Sequence, residues 1–183
     1  MIMYCEKLLC IKENKKSPSF LIDDLVINKL DVFIKEKVTL IERERLSPSK
    51  FALLMNVDQN TAMMTFVIGT ECRLFKALAY FTCECGENHF LESVKGNYEC
   101  VCNKVVNLSE NRERIFLYFK LLLAPENCFN EEEKIYHIDY IENDIIGNFS
   151  LADMEERLGK ETVDSILSLK ELRNNTMRRQ AEG

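Results

Sequence analysis

The chain has 183 residues, 46% of them hydrophobic, and a net charge of −6 at neutral pH, enough apolar content for one ordinary domain or two small ones and too much for a chain that stays disordered. No run of about 18 apolar residues occurs, and Met1-Ile2-Met3-Tyr4-Cys5-Glu6-Lys7 lacks the charged-then-apolar layout of a secretory signal, so a cytoplasmic location is expected. The acidic total disfavours a protein that works mainly by neutralising phosphates, unless a basic face is local.

Tyr4 to Ile11 is apolar enough to pack but too short to classify. After the loop Asn14-Lys15-Lys16-Ser17-Pro18-Ser19, the residues Ile27, Leu30, Ile34, Val38 and Ile41 recur at helical spacing, which predicts a helix from about Leu21 to Glu36. Val38-Thr39-Leu40-Ile41 fits its end or a short strand. Ser47-Pro48 is a helix start, because the hydroxyl caps free N–H groups and proline suits the first helical position. Asn56-Val57-Asp58 breaks that helix, Asp58 can cap the next, and the small Ala52 and Ala62 allow close approach, so a helix-turn-helix is expected. Glu71 to Thr82 would then be an extended strand or wing.

That strand leads into Cys83-Glu84-Cys85-Gly86 and, fourteen residues on, Cys100-Val101-Cys102. Paired thiolates flanking a short polar stretch with Gly86, Asn88, Gly96 and Asn97 are the sequence form of a closed four-sulfur zinc site. Cys83, Cys85, Cys100 and Cys102 are the expected ligands of a structural Zn2+, with the intervening residues forming a small hairpin. The usual knuckle is C-x-x-C, whose extra residue lets backbone N–H groups reach the sulfurs; here both pairs are C-x-C. His89 is a possible substitute ligand. In a reducing compartment the remaining Cys5, Cys10, Cys72 and Cys128 read as buried thiols rather than disulfides.

Ser109 to Leu123 has an apolar density that suits a buried helix closed by Pro125. Glu131 to Ile146 reads as a helix with an acidic start and Gly147-Asn148 as its stop. Ser150-Leu151-Ala152-Asp153 is a capping signal for a further helix or helical hairpin containing Met154, Leu158, Val163, Ile166 and Leu167. Glu131 to Asp164 holds eleven carboxylates against Lys134, Arg157 and Lys160. Asn174 to Gly183 reads as a tail.

The layout Ser47-Pro48, Ala52, Asn56-Val57, Thr61-Ala62 resembles winged-helix domains of bacterial regulators and defence-associated proteins. A winged helix followed by a zinc ribbon also resembles, from about Leu21 to Leu108, the alpha subunit of archaeal transcription factor E. The resemblance implies a nucleic-acid surface drawn from Lys50, Gln59, Asn60, Thr61, Arg73 and Lys76. It departs in both cysteine pairs, and Gln59 to Gly69 contains no Lys or Arg, so the helix that would read bases is poorly equipped for it.

No Gly-rich phosphate loop, G-x-S-x-G elbow or H-E-x-x-H occurs, and His89 and His137 sit in no catalytic context, so no enzyme is expected. The expected architecture is mainly α, of the α+β class. It comprises a helix-turn-helix or winged-helix-like part (1–80), a small β zinc ribbon (81–108), a helical part (109–172) and a tail (173–183). The expected role is a non-enzymatic adaptor or accessory subunit that binds a larger protein or itself, plausible in a bacterial antiviral defence or mobile-element system, with Glu142, Asp144, Glu155 and Glu156 on the acidic binding face. The alternative is a DNA-binding regulator using the helix-turn-helix.

Overall fold

The computed structural model describes residues 3–128 and 147–168. Helices and small antiparallel sheets combine into an α+β architecture, and the chain groups into two units: Met1–Lys76 with Phe119–Asn148, and Ala77–Tyr118 with Phe149–Gly183. Each unit draws on separated stretches of chain.

In the first unit, α1 (Tyr4–Glu13) buries Tyr4, Leu8 and Ile11, one face at spacings of four and three. Leu21 adopts a left-handed φ of 55°, and helix α2 (Asp24–Val32) begins only after Asp23, whose side chain accepts from the Val26 N–H. The helix thus starts three residues later than the periodicity suggested. A π-helical turn, Phe33–Lys37, ends it, and the Arg43 guanidinium donates to the freed carbonyls of Ile34 and Lys35. Val38 is buried, but Leu40 and Ile41 are exposed; neither strand nor helix continues there.

Helix α3 (Pro48–Leu54) opens on Ser47, whose hydroxyl accepts from Lys50 N–H. Helix α4 (Gln59–Glu71) opens on Asp58, which accepts from the N–H groups of Asn60 and Thr61. Every residue of α4 from Thr61 to Thr70 is buried. Two of its hydroxyls are satisfied inside the helix, Thr65 donating to the Thr61 carbonyl at 2.7 Å and Thr70 to that of Phe66 at 3.0 Å. Phe66 is the hub of an aromatic cluster, with ring centroids 5.8 Å from Phe51, 4.8 Å from Phe75 and 5.2 Å from Phe119. Two helices joined by a tight turn are present as expected, yet the second is core on all sides.

The chain enters the second unit along β1 (Phe75–Thr82) and leaves it along β5 (Ile115–Leu121). With β2 (Asn88–Leu91) these form a three-stranded sheet in the order β2-β1-β5; β3 (Asn97–Glu99) and β4 (Val105–Asn107) form a separate antiparallel pair. The expectation of a buried helix over Ser109 to Leu123 is corrected: two 3-10 turns lead into β5, where Ile115, Leu117, Phe119 and Leu121 are buried and Phe116, Tyr118 and Lys120 alternate half-buried. Apolar residues on both faces of a strand imitate a helix that is apolar all round, and the aromatic enrichment was the contrary signal.

Helix α5 (Leu151–Leu158) has the anticipated capping box between Ser150 and Asp153 and stops at Gly159, whose φ of 88° closes the helix. Residues 160–168 are helical again and bury Val163, Ile166 and Leu167. The helix expected over Glu131 to Ile146, His137 within it, and the tail from Asn174 lie outside the described residues. Among the described residues no helix is long and apolar enough to cross a membrane.

Candidate metal centre

The four clustered cysteines stand on two hairpin tips rather than at the ends of one ribbon. Strands β1 and β2 pair antiparallel from Ala79↔Leu91 to Thr82↔Asn88, and β3 and β4 from Asn97↔Asn107 to Glu99↔Val105. The fourteen residues between the cysteine pairs are thus split, β2 completing the first hairpin and β3 starting the second.

Both tips fold alike. Gly86 N–H donates to the Cys83 carbonyl at 3.0 Å while Cys83 N–H donates to that of Glu87 at 2.9 Å; Asn103 to Cys100 at 2.8 Å and Cys100 to Lys104 at 2.9 Å repeat the pattern. This is a three-residue hairpin loop whose last position must be left-handed. Gly86 (φ 91°) and Asn103 (φ 64°) fill it, glycine because it has no Cβ and asparagine because it tolerates that region best among the rest. The repeating unit is C-x-C-(Gly/Asn), which makes the shortened spacing a property of this loop.

The four sulfurs lie within 4.8 Å of one another, with Cys83 to Cys102 at 3.7 Å and Cys85 to Cys100 at 3.6 Å. A tetrahedron with metal–sulfur bonds of about 2.3 Å has edges of about 3.8 Å, so the donor set fits a tetrahedral four-thiolate ion such as Zn2+. Cys83 and Cys100 are buried, Cys85 and Cys102 exposed.

Without a cation the thiols oppose one another's ionisation. The Cys85 N–H leads in lowering Cys83 to about 7, against burial and with help from the neighbouring sulfurs. The Cys102 N–H pulls Cys100 down too, but burial and the three other sulfurs outweigh it and push it up to about 12. Cys85 is likewise raised: the Glu87 N–H lowers it, while burial, Cys83 and Cys102 prevail. One thiolate forms readily and further ones need a countercharge, which a divalent ion supplies. Glu84 is paired with Lys104 and lies 3.8 Å from Arg114, which places two cations beside the cluster.

His89 does not join the sulfur tetrad. Its Nε2 is 3.1 Å from the Cys100 sulfur, closer than the roughly 3.6 Å edge that a nitrogen and a sulfur would share on one tetrahedral zinc, and it is not among the mutually close ligand atoms. The imidazole also packs on Tyr98 at 5.1 Å, bridging the two hairpins.

Of the six residues of the nucleic-acid reading, Lys50 lies on α3, Gln59, Asn60 and Thr61 open α4, Arg73 follows it and Lys76 is on β1. Thr61 is buried and its hydroxyl donates to the Phe20 carbonyl at 2.7 Å. Lys50 is half-buried and paired with Glu42. Gln59 and Arg73 are exposed, whereas Asn60 and Lys76 are half-buried. Of the acidic face, Glu156 is exposed, but Glu155 is half-buried and bound by the Arg112 guanidinium, whose Nε is 2.8 Å from one carboxylate oxygen, so Glu155 is an internal partner of its own unit. Glu142 and Asp144 lie outside the described residues.

The remaining cysteines are corrected from thiols to disulfides. Cys5 is bonded to Cys128 and Cys10 to Cys72, with Cα separations of 5.4 and 6.0 Å, inside the usual range. Both bonds fasten α1, one of them to the residue that follows α4. The sequence held one relevant signal, an even number of cysteines left over after the cluster, but connectivity cannot be read from spacing.

No family model, no curated protein and no solved structure matches the chain.

Proposed function

We propose that the protein is a non-enzymatic adaptor whose second unit is held together by a structural zinc ion bound to Cys83, Cys85, Cys100 and Cys102, and that it acts by binding another protein. The carrying observation is the closed donor set, four sulfurs within 4.8 Å of one another on two matching hairpin tips, with the two pairs that cross between the tips at tetrahedral-edge spacing. Four thiolates fill the coordination sphere of zinc, whereas catalytic zinc keeps a position for water or substrate. β2, β3 and β4 have only three or four residues each, so an ion that ties their tips together replaces a core too small to form.

Two features favour a protein partner over DNA. Helix α4 is buried from Thr61 to Thr70, so past Gln59 and Asn60 it offers no exposed residues to a major groove until Glu71. The net charge of −6 also removes most of the counterion-release contribution to DNA binding. The test pairs two assays on zinc-loaded, full-length protein: capture of protein complexes from the native host, and duplex-DNA titration in about 150 mM salt. A stoichiometric protein complex lost on zinc removal, with no sub-micromolar DNA affinity, supports the reading. Tight, steeply salt-dependent DNA binding by an otherwise unpartnered chain contradicts it.

A further inference from the structure

The four sulfurs are not equivalent, and the inequality crosses between the hairpins. Each tip carries one buried sulfur, Cys83 or Cys100, and one exposed sulfur, Cys85 or Cys102. The short contacts join unlike members: exposed Cys85 faces buried Cys100 at 3.6 Å, and exposed Cys102 faces buried Cys83 at 3.7 Å. Every thiolate that solvent can reach therefore has a shielded thiolate of the other hairpin next to it.

We propose that the metal centre is also a site of reversible oxidation by hydroperoxides, in which Cys85 and Cys102 are attacked, Cys100 and Cys83 resolve them, and the metal is released. This inference rests on the metal reading above. In the first step the exposed thiolate attacks the terminal oxygen of the peroxide; an S–O bond forms, the O–O bond breaks, and hydroxide, or the alkoxide of an organic hydroperoxide, leaves with its electron pair. In the second the facing buried thiolate attacks that sulfur; an S–S bond forms, the S–O bond breaks, and hydroxide leaves. Two thiolates give up two electrons in all and one hydroperoxide is reduced by two, so the step needs no other reactant. The metal keeps two thiolates at most, too few to hold it in a structural site. A thiol reductant reverses the bond, and zinc rebinds.

The geometry also says which disulfides form. Closing Cys85 to Cys100 or Cys102 to Cys83 from 3.6 or 3.7 Å to a bond of about 2.05 Å requires the tips to move by less than about 2 Å. A bond within one tip, Cys83 to Cys85 or Cys100 to Cys102, would span a turn already fixed by two backbone hydrogen bonds.

The test uses the zinc-loaded, full-length protein, hydrogen peroxide in small molar excess, a chromogenic chelator to follow zinc, and tryptic mapping after thiols are blocked. Cleavage after Lys76, Lys95 and Lys104 puts Cys83 and Cys85 on residues 77–95 and Cys100 and Cys102 on residues 96–104, so a bond between hairpins links two fragments and a bond within one tip links none. The expected result is linked fragments appearing in step with zinc loss, both reversed by thiol plus zinc, and limited alkylation of the loaded protein labelling Cys85 and Cys102 before Cys83 and Cys100. Retention of zinc under oxidant, bonds within one tip, or sulfinic acids without disulfides would overturn the inference alone. Protein that holds no zinc before oxidant would overturn the metal reading and this inference with it.

Discussion

Gly69→Ala separates a buried α4 from a solvent-facing recognition helix, because the two situations predict opposite signs. Glycine inside an exposed helix is less favourable than alanine by about 1 kcal/mol, so the substitution would stabilise an exposed α4. In this structure an added Cβ would lie 2.4 and 2.6 Å from two ring carbons of Phe75 and 3.4 Å from Ile11. Ordinary contact needs about 3.5 Å or more, so the ring must retreat by about 1 Å. It has little room: Phe75 is fully buried, stacked on Phe66 at 4.8 Å and edge-on to Phe119 at 6.5 Å. Overpacking of this kind costs about 1–3 kcal/mol. Set against the propensity gain, the expected outcome is a net loss of about 1 kcal/mol, read as a lower urea midpoint at unchanged slope. Phe75→Leu removes the obstructing ring edge, so Gly69→Ala added to Phe75→Leu should cost less than Gly69→Ala alone, a coupling measurable as a double-mutant cycle. A Gly69→Ala protein more stable than wild type would refute the placement of α4 in the core, and would reopen Gln59, Asn60 and Thr61 as a surface.

Three further outcomes follow from the cysteines and their turns. Because two disulfides engage four of the eight cysteines, denatured protein treated with chelator but no reductant should react as four thiols; eight reacting thiols would contradict the pairing. The Cys10–Cys72 bond closes a loop of 62 residues, and the chain-entropy estimate for its removal by paired serine substitutions is about 4 kcal/mol as an upper figure, checked by denaturant unfolding. Gly86→Val places a β-branched side chain at φ 91° and should weaken zinc retention against a chelator, whereas Asn103→Gly, at φ 64°, should leave it unchanged or improved; equal effects of the two would sink the account of the turns.

Much of this was legible where chemistry is local. Ser47-Pro48, Asp58 and Ser150 with Asp153 marked helix starts through side chains that cap their own backbone, and all of them do so. The four clustered cysteines were readable for the same reason, since ligand pairs lie within three residues of each other and the groups fall inside 20. What was not legible depended on distant partners. The full burial of α4 follows from Phe51, Phe75 and Phe119 converging on Phe66 from other parts of the chain. The mistaken helix over Ser109 to Leu123 arose because β5 has a hydrophobic side chain on both faces, which removes the alternation that identifies a strand. The pairing of Cys10 with Cys72 required knowing that α1 packs on α4. One local signal was present and unread: Gly86 and Asn103 occupy the same place after each C-x-C, and two residues that accept left-handed backbone at matched positions mark two matched turns.

The central claim is that Cys83, Cys85, Cys100 and Cys102 hold one tetrahedral metal ion. X-ray absorption at the zinc edge, on freshly prepared protein kept free of oxidant and reductant and with its metal content measured in parallel, tests it most directly. The account predicts one zinc per chain surrounded by four sulfurs at about 2.3 Å, with zinc lost in Cys83→Ser and Cys100→Ser. No bound zinc, or a shell containing nitrogen or oxygen at about 2.0 to 2.1 Å, would contradict it.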